Sequence, residues 1–306
     1  MARYLLRRLL LTLPAIWLVL TMVFLLIHIV PGDPVEQMLG EGAAPGQAAQ
    51  LRHALGLDQP LYAQYGHYLG QIVRGDLGQS FKFQAPVRHI IFERYPATLE
   101  LAFLALLVCA AIAIPAGVLA AQWRGSNADR SIGVFTLLGL AVPNFALGPL
   151  LITFFSIQLG WLPVSGRGGG LNYVLPAVTL GAALAAILTR MVRSSMLEEL
   201  SSDYVRTARA KGLSTATVLL RHALRNALIP IITILGLQFG TLLAGTIVTE
   251  TIFSWPGIGR LTVNAISARD YPLLQGCILV IALSYVLVNL ITDVFYAFID
   301  PRVRLS

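Results

Sequence analysis

Residues 97–121 read ATLELAFLALLVCAAIAIPAGVLAA, and this stretch decides the class of fold. Glu100 is its single charged residue. A helix needs roughly 20 consecutive apolar residues to cross the hydrocarbon core of a bilayer. The stretch therefore predicts a transmembrane helix.

Windows of the same kind recur along the chain, at residues 9–30, 97–121, 131–160, 171–189, 229–249 and 273–299. They predict an all-α membrane protein with about six transmembrane helices. The third window is long enough to require a tilt or a break, which Pro143-Asn144 or Pro149 would provide. We expect an N-terminus with the first helix over 1–30, a helical outer segment over 31–96 and a transmembrane core over 97–306.

The composition supports this class. Of 306 residues, 56% are hydrophobic and 12% are charged, whereas soluble domains carry roughly 25% charged residues. The net charge of +7 would suggest nucleic acid as a partner of a soluble protein. Here the basic residues cluster at the ends of apolar windows, so we expect no nucleic-acid partner. Cys109 and Cys277 both lie inside apolar windows, and no disulfide framework is expected.

The distribution of basic residues predicts the orientation in the membrane. An even number of spans puts both termini on one side, and the positive-inside rule makes that side the cytoplasm. It carries the basic residues Arg3, Arg7, Arg8, Arg124, Arg130, Arg190, Arg193, Arg206, Arg209, Lys211, Arg221, Arg225, Arg302 and Arg304. The first window could instead be a cleaved signal peptide, but its length and the lack of an Ala-x-Ala site favour a retained helix. We expect a multi-pass protein of a bacterial inner membrane.

The outer segment has the pattern of short amphipathic helices. From Leu61 onward, apolar and aromatic residues recur at three- and four-residue spacing. Gly75 and Gly78 interrupt the pattern and indicate turns. We expect a small ordered helical unit on the outer side.

The connection over residues 194–228 is unusually long and basic for a loop between membrane helices. Ser202 or Asp203 would cap a short helix that Gly212 would end in a left-handed conformation. Ser214 would cap a second helix, and both would lie along the membrane surface. Small residues would let a partner approach closely: Ala208, Ala210 and Gly212. A pair of amphipathic helices that merely rests in the interface explains the pattern equally well.

The loop resembles a known family. Its segments YVRTARAKG (204–212) and HALRNA (222–227) are similar to the cytoplasmic coupling loop of ABC-importer permeases. The likeness is to the dipeptide, oligopeptide and nickel branch, closest to the dipeptide and glutathione permeases, and it covers nearly the full length. Further matching blocks are PGDP (31–34), LGLDQP (55–60), GDLG (75–78), PATLE (96–100), ETIFSWPG (250–257) and RDYP (269–272). The generic motif has Leu-Pro near Leu224-Arg225, whereas here Pro230 comes later, as in this branch.

The resemblance implies a type I ABC-importer permease fold and a set of partners. These are a second homologous permease subunit, two cytoplasmic ATPase subunits, a periplasmic substrate-binding protein and membrane lipid. The residues implied to couple the chain to the ATPase are Asp203, Tyr204, Arg206, Thr207, Ala208, Arg209, Ala210, Lys211, Gly212, His222, Arg225 and Asn226. ATP and Mg²⁺ would bind to the partner ATPase and not to this chain. In agreement, the only lysines are Lys82 and Lys211, and neither stands in a P-loop motif.

Polar residues in or near the apolar windows are candidates for a substrate path. A membrane-embedded acid is costly and is often functional. The candidates are Asn144, Gln238, Glu250, Asn289 and Asp293. Helix packing or an ion pair is the favoured alternative for each. No pair of the five histidines has metal-ligand spacing on one helix face, so no metal site is expected.

The chain is not expected to be an enzyme, because the sequence lacks the His-Glu-x-x-His and Gly-x-Ser-x-Gly motifs. The function that the sequence favours is the permease subunit of an ATP-driven importer of small peptides, of the dipeptide or glutathione class. One alternative is a membrane scaffold that recruits a cytoplasmic partner without transport. Another is a nickel, opine or oligopeptide permease of the same family.

Overall fold

The computed structural model describes residues 2–29, 46, 52–53 and 58–299. Over these residues the chain is helical and contains no strand, only an isolated bridge between Gln79 and Pro86. The helices are α1 (Ala2–Ile29), α2 (Leu61–Val73), α3 (Val87–Gln122), α4 (Asn127–Ala141), α5 (Asn144–Leu151), α6 (Val174–Leu200), α7 (Asp203–Ala210), α8 (Thr215–Gly245), α9 (Ile247–Ile252), α10 (Ile258–Ser267) and α11 (Tyr271–Ile299). The predicted all-α class is confirmed.

Four helices of the described residues are long and apolar enough to cross a membrane, namely α3, α6, α8 and α11. The third predicted window is broken, because α4 and the helix from Asn144 to Gln158 meet at 101°, as in a broken span or a re-entrant loop. Pro143 explains the break, since it lacks an N–H and holds Val142 in an extended conformation. Counting this pair as one gives five spans, and α1 adds a shorter apolar stretch, Leu10–Leu25.

Helix α3 starts ten residues before the predicted window. Its first turns pack Val87, Ile90 and Ile91 against Ile258 and Leu273, and this burial outweighs the cost of Pro96 inside the helix. With 36 residues, α3 is about 54 Å long and exceeds the roughly 30 Å hydrocarbon core. The last ten residues of the predicted outer segment are therefore turns of the same helix as the second span.

Small residues let the central helices approach closely. A Cβ at Gly181 of α6 would lie 2.6 Å from the carbonyl oxygen of Ala105 on α3. Likewise, a Cβ at Gly236 of α8 would lie 2.5 Å from the hydroxyl of Thr292 on α11. The core is thus a bundle of α3, α6, α8 and α11.

The bundle has two ends, which we name by what lies there. The loop end holds residues 200–215, and the far end holds residues 247–258. Helix α1 runs antiparallel to α11: Arg8 forms a 3.0 Å ion pair with Asp293, and Gln275 donates a 2.9 Å hydrogen bond to the carbonyl of Val23. The start of α1 and the end of α11 therefore both lie toward the loop end.

The described part of the outer segment forms hydrogen bonds with α1 and with the start of α11. Helix α2 confirms the predicted amphipathic helix, and its Tyr65 hydroxyl lies 2.8 Å from that of Thr21 on α1. After α2, Asp270 at the start of α11 accepts hydrogen bonds from the Ser80 hydroxyl at 2.5 Å and the Lys82 amide at 3.1 Å. Gly75 and Gly78 have positive φ, as expected for the predicted turns.

Candidate functional site

Helix α7 forms a short, separate element at the loop end. Asp203 and Arg206 form an i,i+3 ion pair at 3.4 Å on its first turn. The residue preceding α7 is Ser202, but its hydroxyl donates to the carbonyl of Glu199 at 2.7 Å and does not cap α7. Gly212 has φ +77° and ends the helix in the left-handed conformation, as predicted.

One face of α7 is buried. Val205 and Ala208 pack against Val218 and Leu200. The expectation that Ala208 faces a partner is wrong, because only 6% of this residue is exposed and it packs inward. The other predicted coupling residues of the segment are exposed: Asp203, Tyr204, Arg206, Thr207, Arg209, Ala210, Lys211 and Gly212.

Tyr204 joins α7 to the helix before it. Its hydroxyl donates a short hydrogen bond to the carboxylate of Glu199 near the end of α6. Partial burial raises the pKa of the Tyr204 hydroxyl, and the hydrogen bond to Glu199 raises it further. The phenol therefore stays protonated at neutral pH and serves as a donor that orients α7.

The second half of the loop differs from the prediction. Ser214 does cap a helix, accepting a 3.3 Å hydrogen bond from the Thr217 amide. That helix is not a separate element on the membrane surface, because it continues as α8 to Gly245 through a π-helical turn, Val218–Ala223. His222 lies half-buried in this turn, and Arg225 and Asn226 are exposed just beyond it.

The chain as a whole is similar to known proteins. Residues 113–305 match the family described as binding-protein-dependent transport system inner membrane component. Residues 1–102 match its N-terminal companion family. The chain belongs to this family. It is a transport permease component and not an enzyme.

Curated relatives of this permease are similar over 304 residues, 99% of each chain. The glutathione transport system permease protein GsiC of Escherichia coli O6:H1 (strain CFT073) is 46% identical. The GsiC proteins of Escherichia coli strain K12 and of Shigella dysenteriae serotype 1 are each 45% identical.

Solved structures confirm the fold. Two inward-facing structures of the MetNI methionine ABC transporter match with TM-scores of 0.60 and 0.59 at 18% and 17% identity. The first match covers 70% of this chain and 97% of that chain. The predicted type I importer permease fold is therefore confirmed for the core.

Among the predicted substrate-path residues, Glu250 is fully buried in the permease. Its carboxyl group accepts hydrogen bonds from the hydroxyls of Thr98 at 2.7 Å and Thr246 at 3.0 Å, and from the amide of Arg260 at 2.9 Å. Thr98 in turn accepts from the amide of Ile258 at 2.9 Å. The carboxyl thus joins α3, α9, α10 and the junction between α8 and α9, and in this structure it has no surface open to a substrate.

The backbone at Gly257 and Gly259 packs closely against Glu250 and its helix. A Cβ at Gly257 would lie 2.4 Å from the Glu250 carboxyl, and one at Gly259 would lie 2.7 Å from the Cα of Ile247. Trp255, also fully buried, donates a 2.9 Å hydrogen bond to the carbonyl of Ala97. We call this assembly at the far end the Glu250 knot, comprising Thr98, Thr246, Glu250, Trp255, Gly257 and Arg260.

Gln238 lies between three helices. Its amide donates to the carbonyl of Leu184 on α6 at 3.3 Å, and its carbonyl accepts from the thiol of Cys109 on α3 at 3.5 Å. Only 7% of this residue is exposed. These contacts agree with the alternative of helix packing.

The remaining path candidates have different surroundings. The side-chain carbonyl oxygens of Asn144 and Asn289 are buried without a hydrogen-bond partner in the described structure. Asp293 is held by Arg8, so its ion pair lies within the chain. The five candidates do not form one site: Glu250 lies at the far end, whereas Asp293 pairs with the start of α1.

The structure contains two ion pairs that the sequence analysis did not predict, Arg167 with Glu100 and Arg193 with Asp129. Arg167 contacts both carboxylate oxygens of Glu100 at 2.6 Å at the far end. Arg193 contacts both carboxylate oxygens of Asp129 at 2.7 and 2.8 Å at the loop end. Each joins residues more than 60 positions apart, a pairing for which the sequence has no local signal. No cluster of three or more metal-ligating side chains occurs in the described ranges.

Proposed function

We propose that the chain is the permease subunit of an ATP-driven importer and that α7 contacts a separate cytoplasmic ATPase. The observation that carries the proposal is the exposure of α7. Two apolar side chains, Val205 and Ala208, fasten it to the protein, and its polar surface is turned outward. A helix that only rests in a membrane interface would turn its apolar face toward lipid, whereas here that face is occupied by the chain itself.

The charge of the loop end supports a cytoplasmic location. The exposed basic residues Arg206, Arg209, Lys211 and Arg225 surround α7 and the start of α8. The start of α1 and the end of α11 lie at the same end as the loop, and together with the positive-inside rule this supports our proposal that the loop and both termini are cytoplasmic. Orientation can be tested with a membrane-impermeant thiol reagent on an Ala210→Cys variant, whose own cysteines are buried. Labelling in intact cells would contradict it.

The cargo we propose is glutathione or a peptide of similar size, because the GsiC relatives are similar over the whole chain. A nickel, opine or oligopeptide permease of the same family is the competing assignment. Identifying the periplasmic binding protein and measuring which compound it retains decides between them. Retention of nickel or of long peptides with no affinity for glutathione would contradict the proposed cargo.

The assembly that we propose contains a second homologous permease subunit, two ATPase subunits that bind ATP and Mg²⁺, and a periplasmic binding protein. The missing P-loop supports a separate ATPase. Large exposed apolar side chains on α4 and α5 support burial against lipid and the second permease, among them Phe135, Leu138, Phe145 and Leu150.

A charge reversal on α7 tests the coupling role. Arg209→Glu with Lys211→Glu changes only exposed side chains, so insertion and thermal stability should be unchanged. We expect the ATPase to be lost on purification and ATP-dependent glutathione uptake in proteoliposomes to fall at least tenfold. Arg74→Glu, at another exposed arginine just after α2, is the matched control.

Two outcomes would contradict the proposal. Full uptake by the double variant at equal expression would exclude α7 as the coupling surface. Co-purification of an ATPase without any ATP-dependent uptake, with the binding protein supplied, would favour a scaffold that recruits a partner without transport.

A further inference from the structure

A cleft of about 510 Å³ opens between α4 and α6 at the loop end. Its lining combines charged residues at one end with small and apolar residues along α4: Asp129, Arg130, Ile132, Gly133, Val134, Thr136, Leu137, Thr189, Arg190 and Arg193. It is separate from α7 and from the Glu250 knot. None of the functions assigned above uses it.

Most polar groups of the cleft are already engaged. Asp129 accepts two hydrogen bonds from Arg193 and a third from the amide of Gly125 at 2.9 Å. The hydroxyls of Thr136 and Thr189 donate to carbonyls of their own helices. The ion pair of Asp129 with Arg193 therefore contributes no net charge to the cleft.

Two arginines remain. Arg130 and Arg190 are exposed, and neither guanidinium group forms an ion pair or hydrogen bond within the part of the chain that the structure describes. Arg190 lies three residues before Arg193 on α6, and Arg130 follows Asp129 on α4, so both flank the same ion pair. The rim of the cleft consequently presents two unneutralised positive charges.

The wall beside the rim is apolar. Val134 and Leu137 lie one and two turns beyond Arg130 on the same face of α4, and they are 56% and 60% exposed. Because α4 starts at the loop end and runs into the membrane, these side chains follow the direction of a lipid chain. Trp123 is 47% exposed at the same level, as is typical of a residue at a membrane interface.

We propose that this cleft binds an anionic phospholipid, with its phosphate between Arg130 and Arg190 and an acyl chain along Val134 and Leu137. Arginine suits a phosphate because its planar fork donates two parallel hydrogen bonds. A free phosphate would satisfy the arginines but not the apolar wall. The proposal rests on membrane insertion and not on the transported cargo.

The test is lipid binding by the full-length chain in detergent, measured by native mass spectrometry. Dioleoylphosphatidylglycerol should bind at lower concentration than dioleoylphosphatidylcholine. The variant Arg130→Gln with Arg190→Gln should raise the half-saturating phosphatidylglycerol concentration roughly 25-fold, at roughly fivefold for each arginine. Arg124→Gln is the matched control, an exposed arginine at the same end that does not line the cleft, and should change it less than twofold.

A second variant separates lipid from phosphate and from misfolding. Leu137→Trp fills the apolar wall without changing charge and should weaken phosphatidylglycerol binding, whereas millimolar inorganic phosphate should not displace the lipid. Equal binding of the two lipids, equal losses in Arg124→Gln and the double variant, or displacement by phosphate alone would overturn the proposal. Loss of lipid binding once the ATPase and second permease are assembled would also overturn it, since the cleft would then be a protein interface. None of these results bears on uptake.

Discussion

Gly257→Ala tests the Glu250 knot because the structure leaves no room for one methyl group there. The added Cβ would lie 2.4 Å from the Cδ and both oxygens of the Glu250 carboxyl, 1.0 Å short of the ordinary 3.4 Å contact. The backbone itself is not the obstacle, since Gly257 has φ −97° and ψ −179°, which any residue adopts. The carboxyl must therefore move by about 1 Å to restore ordinary contact.

Such a shift would break hydrogen bonds that now measure 2.7, 2.9 and 3.0 Å. Losing two of them, at about 1.5 kcal/mol each, predicts a destabilisation of about 3 kcal/mol. The midpoint of thermal unfolding should fall by roughly 5 °C, because about 2.1 cal/mol/K of unfolding entropy per residue amounts to about 0.64 kcal/mol/K for 306 residues. Both cysteines of the chain are buried, so a thiol-reactive dye added to the detergent-solubilised protein reports unfolding directly.

A matched control and a double-mutant cycle isolate the cause. Gly245→Ala, twelve positions earlier at the end of α8, adds a methyl group with nothing within 4 Å and should leave the midpoint unchanged. In a Glu250→Ala background the carboxyl is gone, so Gly257→Ala should cost less than about 0.5 kcal/mol. If Gly257→Ala behaves like Gly245→Ala, or costs the same with and without Glu250, the reasoning fails.

Three further predictions concern the rest of the bundle. Ala208→Arg forces a guanidinium into the buried face of α7 and should abolish uptake with the protein still inserted. Ala210→Arg, two positions on and exposed, should retain both insertion and the packing of α7, as measured by protease resistance. Equal protease sensitivity of the two variants would refute the assigned faces. Gly181→Ala places a Cβ 2.6 Å from a backbone oxygen of α3 and should lower the thermal midpoint more than Gly139→Ala, where the nearest atom is 3.5 Å away. Arg193→Ala leaves a partly buried carboxylate unpaired and should destabilise the loop end, as amide hydrogen exchange over α4 would detect; unchanged exchange would show the ion pair to be dispensable.

The sequence predicts what depends on the length of an apolar stretch. Helices α3, α6, α8 and α11 follow from that rule. The excess length of the third window predicted a tilt or a break, and the break lies at Pro143, one of the two places that the sequence offered. The start of α3 at Val87 does not, because its first turns alternate polar residues with residues buried against α10 and α11. The mean hydropathy of these turns is too low to indicate a membrane helix, although the burial of one face stabilises the helix there.

The residues of the candidate site also divide into those set by local sequence and those set by distant contacts. Gly212 and Ser214 act through their immediate neighbours, and both were placed correctly. The burial of Ala208 depends on Val218, ten residues away across a turn, and the partner of Glu250 is 152 positions distant in Thr98. Contacts of that kind arise from tertiary packing, which a local pattern does not encode.

Helix α8 links the two regions in one continuous element. Its 31 residues span about 46 Å, with Val218 against α7 at one end and Thr246, bonded to Glu250, just past the other. A rotation of α8 by about 5° about its end at α7 would move its other end by about 4 Å. A partner that displaces α7 would therefore strain the hydrogen bond between Thr246 and Glu250 at the opposite tip, which holds α8 against this movement.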